Sequence, residues 1–112
     1  MKLRIDPEKI SFRLDFDELE IVLKEGKIQD STPLPEGHLK YKVITLTAGS
    51  KATFQATNGA YILSLPRDVV EAHKATLPSL KGIVTVFPCQ SGDLLVSLEI
   101  NLKKKLKHSL ER

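Results

Sequence analysis

The chain has 112 residues, of which 41% are hydrophobic and 28% charged, a length and balance that suit one globular domain with its own core. Its single cysteine excludes an internal disulfide framework, and the absence of Trp beside two Tyr and four Phe speaks against an aromatic platform for stacked bases. The formal charge of +3 is concentrated at one end: residues 103–112 hold five basic groups and one acidic group, leaving 12 basic against 13 acidic before them, so any pull on polyanions must come from that tail or from a local patch.

Met1, Leu3 and Ile5 alternate with Lys2 and Arg4, and Ile10, Phe12, Leu14 and Phe16 alternate with Ser11, Arg13 and Asp15, so two strands are predicted around the turn Asp6-Pro7-Glu8-Lys9. That turn places Leu3 beside Phe12 on the core face. Lys2 then lies beside Arg13, and Arg4 beside Ser11, on the other. The start of the chain has no continuous apolar run of the kind a signal peptide carries, and no segment approaches the ~20 apolar residues of a membrane helix. A cytoplasmic setting with no membrane span is expected.

Asp15 is a good N-cap, with Glu18 at capping-box spacing; Phe16, Leu19, Val22 and Leu23 form the buried stripe of the helix that follows, and Gly26 ends it. Ile21 points away from that stripe. Ile28 to Thr32 reads as a short strand whose end, or edge position, Pro33 and Pro35 mark, and Leu39 to Thr47 as a long one. In the latter, Lys40 and Lys42 start a face that continues as Ile44 and Leu46, which suits a central strand or a bulge near Val43.

Lys51 to Leu65 carries the strongest local signal. Asn58-Gly59 suits a type I′ turn, which pairs Phe54 with Leu63 and Ala56 with Tyr61 on one face and Thr53 with Ser64 on the reverse. Pro66 fits the first position of a short helix with a stripe of Val69, Val70, His73 and Leu77. Gly82 to Phe87 and Leu94 to Ile100 then form a second hairpin across the turn-rich Pro88 to Asp93. No internal repeat is apparent. The order implies an α+β domain over residues 1–101, a curved and mainly antiparallel sheet of about seven strands with one N-terminal helix and one short helix packed on one face, followed by a basic tail over 102–112.

Catalytic signals are weak. His38, His73 and His108 are widely spaced, and neither a phosphate loop nor a nucleophile elbow is present, so no catalytic residue, metal or cofactor is assigned. Cys89 lacks a neighbour in sequence to lower its pKa and reads as an inert thiol. Helix capping accounts for Asp15, Asp17 and Glu18. The one constellation with chemical content is basic: Lys2, Arg4 and Arg13 on the reverse of the first hairpin, and Lys40 with Lys42 on another strand. Salt bridges to carboxylates such as Glu99 are the structural explanation, and an anion-binding sheet face, with arginine gripping phosphate or carboxylate in bidentate fashion, is the functional one. Lys103, Lys104, Lys105 and Lys107 of the tail form a second candidate surface for phosphates.

Met1-Lys2-Leu3-Arg4-Ile5, Ile10-Ser11-Phe12-Arg13-Leu14 with an acidic helix ending at Gly26, Leu39-Lys40-Tyr41, Ile62-Leu63-Ser64-Leu65-Pro66 and Leu98-Glu99 together resemble a family of small uncharacterised bacterial proteins. That family's chain end resembles Ile-Glu-Lys-Asp, of which Leu98-Glu99-Ile100-Asn101 keeps the glutamate and lacks the two charges after it. The resemblance implies a bacterial cytoplasmic protein and no particular activity. The expectation is therefore a non-catalytic binding protein, acting through a sheet-edge partner or as a homodimer. The alternative is a binder of an anionic small molecule or nucleic acid through the basic face or tail.

Overall fold

The computed structural model describes residues 1–79 and 81–102. Its elements run β1 (Lys2–Ile5), β2 (Lys9–Asp15), α1 (Phe16–Glu25), β3 (Lys27–Leu34), β4 (Gly37–Leu46), β5 (Thr53–Thr57), β6 (Ala60–Pro66), α2 (Arg67–Ala75), β7 (Ile83–Cys89) and β8 (Gly92–Asn101). The class is α+β, as the sequence implies. Among the described residues the strands number eight, however, and they divide into two four-stranded sheets, ordered β1-β2-β8-β7 and β3-β4-β6-β5. The basic tail residues Lys103, Lys104, Lys105 and Lys107 lie outside the described residues.

Local chemistry explains the hairpins. Asn58 and Gly59 both adopt positive φ, 53° and 72°, and the register across them is Phe54 to Leu63 and Ala56 to Tyr61. Pro7 and Glu8 turn the first hairpin, with Asp6 and Lys9 exchanging backbone hydrogen bonds, so Leu3 meets Phe12 and Lys2 meets Arg13. Asp15 caps α1 through the Glu18 amide while Glu18 returns a hydrogen bond to the Asp15 amide, and Gly26 closes the helix at φ 85°. Pro66 ends β6 and occupies the N-cap of α2, one position before the predicted one. Of that helix's predicted stripe, Val70 is buried and Val69 is exposed. β4 is central and runs in unbroken register, with no bulge at Val43; Pro33 and Pro88 sit in β3 and β7, which are edge strands.

What the periodicities do not reveal is the pair of parallel contacts at the centre of the sheets, β2 with β8 and β4 with β6. These expose an internal repeat. One constant offset carries Leu3, Phe12 and Asp15 to Phe54, Leu63 and Pro66; a second carries Ile28, Gly37 and Val43 to Ile83, Gly92 and Leu98. Under these two shifts the strand pairings of the first sheet become those of the second: Phe12–Leu98 becomes Leu63–Val43, Leu3–Phe12 becomes Phe54–Leu63, and Ile83–Leu98 becomes Ile28–Val43. The protein is thus two ββαββ halves, each giving one hairpin to each sheet.

The core follows the same rule. Phe12, Leu14 and Leu19 are buried in one half, and Leu63, Leu65 and Val70 at equivalent places in the other. Phe54 of the second sheet meets Phe12 edge-on at 6.2 Å between ring centroids and lies equally near Phe87, joining the sheets across the core. α1 packs on strands of both sheets, and α2 on β4, β6 and α1. With the inner faces committed to packing, differences between the sheets are concentrated on their outer faces.

Candidate functional site

On the outer face of the first sheet, strand alternation and register align Lys2, Arg13 and Glu99 in one row across β1, β2 and β8, with Gly82, the residue before β7, beside Glu99. Arg4, Ser11, Ser97 and Val84 form the next row, and Lys9, Leu95 and Val86 the one after. Glu99 is the hub. Its carboxylate accepts from Arg13 Nε at 3.0 Å and from Ser97 Oγ at 2.8 Å, and lies 3.4 Å from Lys9 Nζ. The Ser11 and Ser97 hydroxyls are 3.1 Å apart and both are buried beneath the charged groups. Because the carboxylate can only accept, the Ser97 proton goes to Glu99 and the Ser11 hydroxyl donates to Ser97. Arg4 pairs with Asp6 at 3.2 Å.

Burial pushes the Glu99 pKa up, but hydrogen bonds from Arg13, Ser97 and Lys9, with the positive charge of Lys9, outweigh it and hold the value at about 2. A carboxyl whose folded pKa is lowered contributes stability that is complete above its unfolded value of 4.5 and is lost as pH falls toward about 2. Since the pair is partly exposed, solvent screening leaves on the order of 1 kcal/mol. Urea unfolding of the wild type should therefore lose about that much more stability between pH 5 and pH 2 than Glu99→Gln loses. Parallel pH profiles would show that the network contributes nothing.

Two shallow depressions flank the Arg13–Glu99 pair. One, about 320 Å³, is bounded by Arg4, Asp6, Lys9 and Ser11; the other, about 260 Å³, by Ser79, Lys81, Gly82 and Asn101. Both are half-open and mainly polar, unlike the enclosed apolar pockets that bury small molecules. Gly82 shapes the second. A Cβ there would lie 2.5 Å from the Leu98 carbonyl oxygen and 2.9 Å from Glu99 Cγ, so glycine is what lets Glu99 lie flat against β7.

The sequence-based candidates do not all meet. Lys2, Arg4 and Arg13 share the outer face of the first sheet, whereas Lys40 and Lys42 lie on β4 in the second sheet. Lys9 belongs to the cluster though it reads as a turn residue; its parity with Ser11 and Arg13 is the signal that marks it. The salt-bridge explanation holds for Arg4, which pairs with Asp6, and for Arg13 and Lys9, which share Glu99. Among the described residues no carboxylate pairs with Lys2, Lys40 or Lys42.

The internal repeat supplies a comparison. The places of Lys9, Ser11, Arg13, Ser97 and Glu99 are taken in the second sheet by Ala60, Ile62, Ser64, Lys42 and Ile44. Identical strand pairings therefore form without any of the network. Among the described residues no group of three or more His, Cys, Asp or Glu is placed to hold a metal, and no helix is long and apolar enough to cross a membrane. A family model of a family of unknown function matches residues 1–105. No curated protein and no solved structure matches the chain.

Proposed function

The chain belongs to that family of unknown function, DUF7009, and from its own surface we propose that it is a non-catalytic binding protein of the bacterial cytoplasm whose first sheet takes an anionic ligand on its outer face. One observation carries this reading: of two outer faces built on the same strand pairings, one alone bears the network of Arg13, Lys9, Ser11, Ser97 and Glu99. Burying two serines beneath a charged layer is not what the fold requires, since Ile62 and Lys42 fill the equivalent places. Lys2, which pairs with no carboxylate among the described residues, supplies attraction, and arginine supplies the planar fork that fits phosphate or carboxylate oxygens. The lysine-rich tail extends the same chemistry in sequence, beginning two residues after Asn101 at the rim of the second depression.

Titration calorimetry with pyrophosphate and with a tricarboxylate, at low salt, tests the proposal and separates the two oxyanion classes. Joint replacement Arg4→Ala and Arg13→Ala should weaken binding at least tenfold, the equivalent of about 1.4 kcal/mol, while Lys40→Ala with Lys42→Ala should change it less than twofold. No binding of either probe, or equal losses from the two pairs of substitutions, would refute it.

A further inference from the structure

β7 is an edge of the first sheet, and its outer side presents Val84 and Val86, 52% and 53% exposed. The equivalent positions on β3, the matching edge of the second sheet, are Gln29 and Ser31. The fold accepts polar residues there, so packing within the chain does not call for the two valines. β7 also lacks the charges by which edges resist pairing, whereas β1 carries Lys2 and Arg4, and β3 carries Lys27 and Asp30. Pro88 has no N–H and occupies an edge strand with its nitrogen on the open side. By alternation, the N–H and C=O groups of Val84 and Val86 face the open side too.

We infer that β7 pairs antiparallel with β7 of a second copy of this chain, joining two first sheets into one of eight strands. With Thr85 on the two-fold axis, each Val84 opposes Val86 of the other copy and the valines exchange four hydrogen bonds. Moving the axis to Val86 sets Val84 against Pro88, which has no proton to give. The chosen register also sets no like charges against each other, since Lys81 comes opposite the uncharged Cys89 of the second copy. A two-fold axis perpendicular to the sheet leaves both outer faces on the same side, with the two Arg13 groups five strand spacings apart across the sheet and six residues apart along it, roughly 30 Å.

Light scattering after size exclusion of the full chain tests the pairing without any ligand, so its failure is distinct from failure of the anion reading. The mass should rise with concentration toward twice the 12.5 kDa of one chain. Val84→Lys with Val86→Lys should return it to the single-chain mass with unchanged circular dichroism, while Gln29→Lys with Ser31→Lys should leave the dimer intact. In a Cys89→Ser background, Thr85→Cys should form a disulfide-linked dimer, because the facing Cα atoms of such a pair lie about 4.5 Å apart. A monomer at every concentration, a dimer indifferent to the lysines on β7, or no cross-link would overturn the inference.

Discussion

Phe12→Ala is expected to cost about 3–5 kcal/mol of folding stability, the largest loss from any single site considered in this fold. Phe12 is fully buried at the centre of β2, pairs with Leu3 on one side and Leu98 on the other, and meets Phe54 of the opposite sheet in a T-shaped contact. Truncation opens a cavity where the two halves and both sheets meet, and the hydrogen-bonded strands around it cannot collapse to fill it. Its counterpart Leu63 is equally buried and packs against Phe54 and Val43, so Leu63→Ala should also be severe, at about 2–5 kcal/mol. Denaturant unfolding checks both. A loss below about 1 kcal/mol at Phe12 would mean that the sheets do not share one core.

Gly82→Ala should destabilise by about 1–3 kcal/mol, an unusually large effect for adding one methyl group near a surface. The first atom it meets, the Leu98 carbonyl oxygen at 2.5 Å, is backbone and cannot rotate aside. The second, Glu99 Cγ at 2.9 Å, can move, but only by drawing the carboxylate away from Arg13, Ser97 and Lys9. Two readouts should therefore change together. Unfolding should occur at lower denaturant, and the Glu99 carboxyl, followed by NMR through acid pH, should titrate closer to the usual carboxylate range. A variant as stable as the wild type with an unmoved Glu99 titration would contradict the close approach of β7 to β8.

Both hairpin registers at Leu3–Phe12 and Phe54–Leu63 are legible because a short turn fixes the pairing and alternation fixes the face. The cap at Asp15 and the stop at Gly26 are legible for the same local reason. Parallel pairing of β2 with β8 is not, since no turn connects the partners and a register between remote strands leaves no mark on either one alone. The internal repeat is hidden by its connections and by drift in its side chains. A single residue, Gly26, links α1 to β3, whereas residues 76–82 link α2 to β7. Equivalent positions keep burial rather than identity, as with Phe12 and Leu63 or Tyr41 and Val96. The basic cluster is half legible. Arg4 and Arg13 follow from parity on one hairpin, while Ser97 joins only through the pairing of β8 with β2, Gly82 only through its approach to β8, and Lys40 with Lys42 separate because the strands split into two sheets.

The asymmetry between the two outer faces is tested most directly by an NMR titration of the full chain with pyrophosphate, following backbone amides of both sheets. Saturable shifts centred on Lys9, Ser11, Arg13, Ser97 and Glu99, with Lys42, Ile44 and Ile62 still, are the predicted result. Shifts spread equally over the two faces, or confined to the second sheet, would contradict the account.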